Sequence, residues 1–525
     1  MSGTDQTQTS NDVAGQGRRE QQSPPHLHHD ALDTSTNIAL ARLINERHLR
    51  WTEPTRLADE RRETLLKAEA SLLEHLGTAP LPTKHGDWTY VAFGDRTTGA
   101  HASALVYGDL NNGAFPSNAT VPVRVHSACS ATELFLANGC GDTNKIESWM
   151  KTVHAQGGPG VIVYLDHDGR GNGMQKFLEE LKTKFFWNTD GALESWKESG
   201  IPEEHHPAGE TLEDQRDYHA ARRILQFLNI PNASIVSENE TKRIQLSPDF
   251  KENTPSCPAD EKEYYILKAQ EIIREGNEEW KMPWSAIAHN KNLVQAHNHP
   301  IVQRLGEGPL KTSFGDWTMV AYGDYTSGEV HIALVYGELR DGLDGTQVYP
   351  TRVHSSCQTN EKFHAQNCEC RAELHETMDR IRQEGKGIIL YLQQEGRGNG
   401  VYGKMFQLEA MFGWDNGKIV QNVDENGEPV TTVKAYEQHK FHGEIRDFTV
   451  AGAVLQDLGV RKVEHHSNNP RKRAGLESNG IEVVGVRNLH FPEMIESNPI
   501  LRHDLKDKQR GLGHDFGGLF GDPGQ

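Results

Sequence analysis

The chain has 525 residues, with 55 Lys and Arg against 74 Asp and Glu, so its formal net charge is −19. Such acidity argues against a general nucleic-acid binder or a binder of anionic membranes, because both need a basic face. No run of about 18 apolar residues occurs, so no membrane-spanning helix is predicted. Six cysteines in a chain of this length are too sparse for a disulfide scaffold.

The first segment of the chain is polar and has no apolar periodicity. It is rich in Ser, Thr, Gln, Asn and Gly and includes His26, His28 and His29. Residues 1–45 are therefore predicted to be a disordered tail.

An internal repeat decides the architecture of the remaining chain. Gly86-Asp87-Trp88-Thr89 returns 229 residues later as Gly315-Asp316-Trp317-Thr318. Four more matches follow in the same order at nearly the same offset: Arg124–Ser127 with Arg352–Ser355, Cys129 and Cys140 with Cys357 and Cys368, Gly169–Gly173 with Gly396–Gly400, and Arg216–Tyr218 with Arg446–Phe448. A period this long predicts two whole domains rather than a solenoid. The predicted units are a degenerate domain at 46–257, a helical connector at 258–290 and a catalytic domain at 291–525.

Each copy has the pattern of a mixed α/β domain. Short apolar runs at Val161–Leu165 and Ile388–Leu392 precede glycine-rich turns and predict buried strands. The spacing of Leu374, Met378 and Ile381 predicts a helix that Gly385 ends. The segment 415–432, with its Asn-Gly turns, predicts an inserted hairpin.

Three cysteines of the second copy stand close together as Cys357, Cys368 and Cys370. In a chain without secretory signals, this spacing favours zinc ligation over disulfides, with buried or redox cysteines as the alternative. Three thiolates leave a fourth position for water, as a catalytic zinc requires. The first copy has Asp142 in place of the third cysteine, so we expect that it has lost its metal.

Three further motifs of the second copy predict an anion site. The glycine-rich loop Glu395–Gly400 follows a strand and carries Arg397. Arg446, which we expect to open a helix, follows Glu444 and could clamp a phosphate. Ser467 and Lys472 flank Pro470, which suits the first position of a helix. Taken singly, a plain turn and two ordinary helix starts explain these motifs nearly as well.

Together these motifs resemble GTP cyclohydrolase II. The resemblance covers roughly residues 300–515 and includes the closing stretch Leu501–His514. It implies a tandem duplication of a mixed α/β cyclohydrolase II-like domain that packs as a pseudo-dimer. It also implies zinc on Cys357, Cys368 and Cys370, and Mg²⁺ as well if the substrate is GTP. The implied catalytic residues are Arg446, Glu444 and Glu395, and the implied substrate-binding residues are Arg352, Arg397, Glu373, Ser467 and Lys472.

The second copy departs from the family pattern at the end that would hold the base. Leu408 stands where the family has a catalytic tyrosine, and a leucine cannot move a proton. Arg371, Ala372 and Glu373 replace the family's Gly-x-Gln. Polar groups discriminate strongly between substrates, so these changes suggest a different heterocycle.

The duplicated, diverged form resembles cyclohydrolase II-like proteins of uracil catabolism. On that basis a zinc enzyme that opens the base ring of UMP, or of another uracil nucleotide, is the favoured interpretation. One alternative is an authentic GTP cyclohydrolase II that releases formate and pyrophosphate, with Tyr402 or Tyr436 supplying the missing hydroxyl. A second alternative is a non-catalytic nucleotide sensor. Thiolate ligation and the lack of a recognisable targeting segment predict the cytoplasm. A further homo-oligomer is left open.

Overall fold

The computed structural model describes residues 34–138, 145–166, 173–183, 216–230, 232–237, 239–247, 249–250, 255–339, 346–441 and 443–520. A helix begins at Thr34, so the disordered tail predicted for residues 1–45 does not include residues 34–45. The rest of that predicted tail lies outside the described residues. Among the residues described, no helix is both long enough and apolar enough to cross a membrane.

The first copy contains helices and strands in the following order: α1 (Thr34–Thr52), α2 (Pro54–Lys67), β1 (Leu73–Thr83), β2 (Gly86–Asp95), β3 (His101–Tyr107), β4 (Thr120–Ser127), α3 (Ser130–Glu133), α4 (Lys145–Gln156), β5 (Val161–Leu165), α5 (Gly173–Thr183), α6 (His219–Phe227), β6 (Asn232–Ile235) and α7 (Glu240–Gln245).

The second copy repeats this order and extends it: α8 (Lys262–Lys281), α9 (Pro283–Ala296), β7 (Val302–Thr312), β8 (Gly315–Asp324), β9 (Val330–Tyr336), β10 (Val348–Ser355), α10 (Gln358–Glu361), α11 (Cys370–Glu384), β11 (Gly387–Leu392), α12 (Gly400–Met411), β12 (Phe412–Asp415), β13 (Lys418–Gln421), α13 (Thr432–Gln438), α14 (Thr449–Asp457), β14 (Lys462–His466), α15 (Pro470–Glu477), β15 (Glu482–Arg487), α16 (Pro492–Ser497) and α17 (Pro499–Leu512).

The two main sheets have the same strand order, which confirms the duplication. The first is β1-β2-β3-β5-β4-β6, and the second is β7-β8-β9-β11-β10-β14 with β15 added at its edge. In both sheets the first four strands pair antiparallel, and the remaining pairs are parallel. The fold is therefore mixed α/β in each copy.

The elements predicted from sequence periodicity are present. Strands β5 and β11 are buried along their whole length, as their unbroken apolar runs indicate. Helix α11 buries Leu374, Met378 and Ile381, and Gly385 ends it with φ of 75°. The Asn416-Gly417 turn joins β12 to β13, and both residues have positive φ, as a tight hairpin requires.

The helices before each sheet are also part of the repeat. Trp51 and Pro54 of the first copy return as Trp280 and Pro283, again 229 residues later. Helices α8 and α9 therefore correspond to α1 and α2. The segment 258–290, predicted to be a connector, is thus the beginning of the second copy. Its scattered apolar residues reflect packing against a neighbouring helix pair rather than a free linker.

Each copy completes the core of the other. Helix α5 of the first copy places Leu178 and Leu181 against strand β7 of the second, in one buried cluster with Leu310 and Trp317. Reciprocally, helix α12 places Met405 against strand β1 of the first copy. Two short β-bridges, Thr83 with Ala365 and Ala137 with Thr312, join the copies in the same reciprocal way. The chain is thus a pseudo-dimer whose two halves share their hydrophobic cores.

Candidate active site

The strongest candidate site lies at the carboxyl ends of the parallel strands β10, β11 and β14. Parallel strands direct their following loops to one edge of the sheet, where ligands commonly bind. A cavity of about 100 Å³ opens there between these loops and the C-terminal helix. Nine of the eleven predicted site residues line it: Cys357, Cys368, Cys370, Glu373, Glu395, Arg397, Arg446, Ser467 and Lys472. Arg352 and Glu444 lie behind this lining and contact it.

The three cysteines form one cluster of thiols. The Sγ atoms of Cys357 and Cys368 are 3.5 Å apart, and those of Cys368 and Cys370 are 3.6 Å apart. Tetrahedral zinc with bonds of about 2.3 Å to sulfur needs sulfurs roughly 3.7 Å apart, whereas a disulfide needs about 2 Å. Cys357, Cys368 and Cys370 form no disulfide with one another. The donor set therefore fits a zinc ion with a fourth position open to the cavity.

The loop that carries these cysteines is held by one amide side chain. Asn360 donates hydrogen bonds to the carbonyls of Ala365 and Cys368 over 2.7 and 2.9 Å, and accepts one from the N–H of Arg371 over 2.7 Å. Its bonds fix the chain between the second and third thiols. The short spacing of Cys368 and Cys370 is thus built into a rigid turn at the start of α11.

Of the three thiols, Cys357 is the one whose ionisation its neighbours favour, whereas hydrogen bonds with Cys357 raise the pKa values of Cys368 and Cys370 well above the usual value. Hydrogen bonds within the cluster, first from Cys368, hold the pKa of Cys357 well below its usual value. Lys404 contributes to the same shift. Burial opposes the charge of Lys404, but Cys357 and Glu395 raise its pKa well above the ordinary value. Lys404 is therefore a permanent positive charge in the floor of the cavity.

Glu395 is the acid best placed for proton transfer. Burial, and secondly the charge of Cys357, raise its pKa to about 7. Its carboxylate accepts hydrogen bonds from the backbone N–H groups of Gln358 and Gly396, over 2.7 and 2.8 Å. Its Oε1 atom lies 3.9 Å from Nζ of Lys404. A carboxyl group with this pKa can both accept and return a proton near neutrality.

The glycine-rich loop forms a tight turn at Glu395–Gly398, in which Gly396 and Arg397 are left-handed, rather than an open cradle. Arg397 adopts a left-handed conformation with φ of 56°, which a side chain rarely does. A Cβ on Gly398 would fall 3.1 Å from the backbone nitrogen of Arg446. The glycine therefore permits the loop to pack directly against the segment that carries Arg446.

Arg446 and Glu444 form an ion pair at the cavity wall. Nε of Arg446 donates to Oε1 of Glu444 over 2.7 Å. Burial works against the charge of Glu444, but Arg446 holds the pKa of this carboxyl at about 2. Contrary to the prediction, Arg446 does not open a helix: α14 begins at Thr449, whose N–H bonds to the carboxylate of Asp447 over 2.9 Å.

A second group of charges lies next to Arg446. NH2 of Arg352 donates to Glu373 over 2.6 Å, and NH1 donates to the carbonyl of His466 over 3.1 Å. Burial, and then the charges of Arg352 and Arg446, lower the pKa of Lys472 to about 7. Asn469 caps α15 by accepting a hydrogen bond from Arg471 N–H over 2.9 Å. An anion bound here would therefore restore the charge of Lys472.

Several cavity residues were not predicted as site residues. Lys404, Gln407, Lys508 and His514 line the same cavity. Lys508 and His514 belong to the closing stretch that resembles the family's tail, so that stretch was the available signal. In the sequence, only its spacing from Leu408 pointed to Lys404 as a site residue. More than thirty residues separate Lys404 from the cysteines, so no local motif connects them.

The tyrosines weighed as replacements occupy different places. Tyr436 lines the cavity, and its hydroxyl donates to Oε1 of Gln407 over 3.4 Å. Tyr402 is not among the lining residues and packs against the rings of Phe406 and Phe441. Leu408 is fully buried in the core shared with the first copy. Tyr436 is thus the only one of these three residues that brings a hydroxyl to the site.

The first copy uses its equivalent residues differently. Sγ of Cys129 lies 3.0 Å from the hydroxyl of Thr132. Lys242, the counterpart of Lys472, donates to the carbonyl of Val125 over 3.0 Å. Cys140 and Asp142 lie outside the described residues, so the predicted loss of the first copy's metal stays a prediction.

The family model for GTP cyclohydrolase II matches residues 74–249 and 303–488, more than half of the chain. The protein therefore belongs to the GTP cyclohydrolase II family, with one family domain in each copy.

The curated relatives of this chain include riboflavin biosynthesis proteins. The chain is 33% identical over 226 residues to the riboflavin biosynthesis protein RibBA of Chlorobium phaeovibrioides, covering 43% of this chain and 50% of that protein. It is 36% identical over 226 residues to RibBA of Parabacteroides distasonis, with the same coverage. The chain thus spans about half the length of the curated relatives it matches. A crystal structure of RibBX, a two-domain 3,4-dihydroxy-2-butanone 4-phosphate synthase from A. baumannii, aligns over 39% of this chain and 49% of that chain at 16% identity, with a TM-score of only 0.19.

Proposed function

We propose that this protein is a zinc-dependent cyclohydrolase that opens the base ring of a nucleotide in the C-terminal copy, and that its substrate is GTP. The observation that carries the proposal is the meeting of three free thiols, a carboxyl group with a pKa of about 7 and several buried cations in one cavity. Hydrolysis of a ring C–N bond needs an activated water, a proton carrier and an anchor for the phosphate.

Cys357, Cys368 and Cys370 would hold the zinc ion. Bound zinc would lower the pKa of a water molecule and polarise the bond under attack. Glu395 would take up a proton from the attacking water and return it to the ring nitrogen that leaves. The charge of Lys404 stabilises negative charge on its neighbours Cys357 and Glu395.

The phosphates would bind between Arg446 and Lys472. Both side chains line the cavity, and both lie within reach of the N-terminal end of α15. Glu444 would hold the Arg446 guanidinium in place rather than transfer protons, because a carboxyl with a pKa of about 2 stays ionised at neutral pH. Arg352 and Glu373, bound to each other over 2.6 Å, would position the part of the cavity next to Lys472.

Two findings support GTP as the substrate. The family to which the chain belongs is that of GTP cyclohydrolase II. In addition, Tyr436 supplies a buried hydroxyl to the cavity, and burial raises its pKa, so it stays protonated and can donate a hydrogen bond. This hydroxyl would stand in for the tyrosine that Leu408 replaces. The expected products include formate and pyrophosphate, and the presence of GTP would call for Mg²⁺ on its phosphates.

A uracil nucleotide such as UMP is the second candidate substrate. The observation that favours it is the segment after the third cysteine, which differs from the family's Gly-x-Gln. In this segment Glu373 accepts a hydrogen bond from Arg352, and Arg371 donates one to the carbonyl of Glu361. A site with these fixed partners presents different donors to a base than the family's Gly-x-Gln segment would. The need for three reduced thiols favours a reducing compartment such as the cytoplasm for either reaction.

The test is to incubate the purified protein with GTP and with UMP and to record ultraviolet absorbance and released formate. We expect GTP to be consumed with formate release and a shift of absorbance to longer wavelength. Consumption of UMP with loss of the uracil absorption, and no change in GTP, would overturn the choice of GTP. Tight binding of either nucleotide without turnover would instead identify a sensor. The Cys368→Ser variant serves as the inactive control.

A further inference from the structure

A second cluster of metal-ligating side chains lies at the junction of the two copies, away from the cysteine cavity. His85 stands in the turn between β1 and β2, and Glu147 lies on α4, both in the first copy. His364 belongs to the second copy and follows α10. One ligand atom from each of these three residues lies within 4.8 Å of the other two.

The carboxylate of Glu147 bridges the two imidazoles. Its Oε1 atom lies 3.2 Å from Nε2 of His85, and its Oε2 atom lies 3.8 Å from Nε2 of His364. The two imidazole rings are 5.5 Å apart and nearly perpendicular. Ligands of a tetrahedral zinc with bonds of about 2.0–2.1 Å lie roughly 3.3 Å apart. Small rotations of the two rings would therefore close this set around one ion.

The pseudo-symmetric position shows that the fold does not require these residues. There, Phe314 replaces His85, Leu136 replaces His364, and His375 replaces Glu147. The backbone is the same at both places: Lys84 N–H donates to the carbonyl of His364 over 3.0 Å, and Ser313 N–H donates to the carbonyl of Leu136 over 3.2 Å. His364 and Leu136 both have positive φ, 56° and 53°. There Phe314 packs against the ring of His375, with centroids 5.5 Å apart, so the fold accepts other residues at these places and the cluster of two histidines and a carboxylate needs another explanation.

We propose that His85, Glu147 and His364 bind a divalent transition-metal ion, with zinc as the best match, and that this ion clamps the first copy to the second. Two imidazoles and one carboxylate are a common zinc donor set and leave one position for water. The site is distinct from the cysteine cluster and does not depend on the proposed function.

The cluster holds one carboxylate, that of Glu147, between the buried imidazole of His85 and the half-buried imidazole of His364. Three cations, Lys84, Lys151 and Arg371, surround it.

The neighbouring cations can make way for an ion. Lys84 and Lys151 approach Oε1 of Glu147 at 4.0 and 3.0 Å, but their side chains are 67% and 58% exposed and can swing into water. Arg371 is the third cation near His364, and its NH1 is already bound to the carbonyl of Glu361. A bound ion would thus replace the mobile lysines as the counter-charge of Glu147.

The experiment counts zinc per chain in the full-length protein. Tail histidines His26, His28 and His29 are first changed to alanine in every sample, so that they cannot contribute. The protein is stripped of metal, loaded with Zn²⁺, freed of excess ion and analysed by mass spectrometry of the elements. We expect two zinc ions in the parent, one in Cys368→Ser, one in His364→Leu, and none in the variant with both changes.

His364→Leu copies the residue that the other copy has at this place, so its backbone conformation is already accommodated. His85→Phe, which copies Phe314, gives an independent second variant. Added Zn²⁺ should also raise the Tm of Cys368→Ser but not that of Cys368→Ser combined with His85→Phe. The proposal is overturned if His364→Leu and His85→Phe bind as much zinc as the parent, or if Cys368→Ser binds none. Neither result would affect the cysteine site.

Discussion

The indole N–H of Trp51 donates a hydrogen bond to the carbonyl of Gly328 over 3.0 Å, which ties the first helix of the first copy to the turn between β8 and β9 of the second. Trp280 repeats this contact with the carbonyl of Gly99 over 3.2 Å. Each indole lies against a glycine of the facing sheet: a Cβ on Gly323 would fall 2.6 Å from the ring of Trp51. The two copies can therefore approach closely because a glycine, which has no side chain, faces each indole ring.

Changing Gly323 to alanine should destabilise the protein by about 1–3 kcal/mol, because the new methyl group must displace a buried ring. Urea unfolding of wild type and variant measures the difference. Gly511→Ala is the matched control, since Gly511 lies on helix α17 with nothing within 4 Å of its added Cβ. Equal effects of the two changes would contradict the close approach of Trp51.

Changing Cys368 to serine should remove zinc from the cavity and abolish turnover, because two thiolates hold zinc far more weakly than three. Zinc content and rate are measured on the same preparation. Cys257→Ser is the control, since Cys257 lies outside the cavity lining and contacts only the carbonyl of Pro258 in the described structure. Full activity of the Cys368 variant would refute a role for zinc in the reaction.

The two acids near Arg446 should respond differently to replacement by their amides. Glu395→Gln removes the group with a pKa of about 7 and should lower kcat by about 10²-fold or more with little change in KM. Glu444→Gln leaves proton transfer intact but loosens Arg446, so it should chiefly raise KM. Steady-state kinetics separates the two, and a reversal of these effects would exchange their assigned roles.

Removing the Tyr436 hydroxyl tests the replacement of the family's tyrosine. Tyr436→Phe should reduce kcat by about 10²-fold, because the cavity loses a buried proton donor. Tyr402→Phe should leave the rate unchanged, since this ring packs outside the cavity lining. Comparable rates for wild type and Tyr436→Phe would remove the main structural support for GTP over UMP.

The stability of the first copy should fall at alkaline pH through His219. Burial disfavours its charge, but Asp95 and Asp217, at 3.4 and 3.1 Å, raise its pKa to about 9. Because the folded pKa is above the ordinary value of about 6.5, the stabilisation is complete below about pH 6.5 and is lost as the pH rises through 9.

His219→Gln should therefore cost on the order of 2–3 kcal/mol at about pH 6 and much less at about pH 10. Urea unfolding at both pH values measures the change. His289→Gln, at an exposed position on α9, is the control and should show no such dependence. A pH-independent loss in the His219 variant would mean that packing, not charge, explains its contribution.

The sequence predicted those features that leave a local or periodic trace. Strand β11 and the buried face of α11 follow from apolar spacing, and the hairpin at Asn416-Gly417 follows from turn chemistry. The cysteine cluster was predicted from spacing and resemblance. In the structure the Sγ atom of Cys368 lies within 3.6 Å of those of both Cys357 and Cys370.

Contacts between distant parts of the chain left no such trace. Lys404 meets Glu395 only because the tight turn before α12 reverses the chain, and Tyr436 enters the cavity from a helix that follows the inserted hairpin. The correspondence of Trp51 with Trp280 was present in the sequence, but only two residues carry it. In the structure Trp51 packs against Gly323 and Trp280 against Gly94. The repeat alone does not show that these tryptophans and glycines are in contact.

The exchange of helices α5 and α12 between the copies explains why a half with a degenerate metal motif persists. Met405 and Leu408 share a buried cluster with residues of β1 and β2, so deleting the first copy would expose one side of the helix behind the catalytic loop to water. Mutations in the N-terminal half can therefore impair turnover at a distance by misfolding its neighbour. Selection against such losses would preserve that half as a structural partner, whether or not it has chemistry of its own.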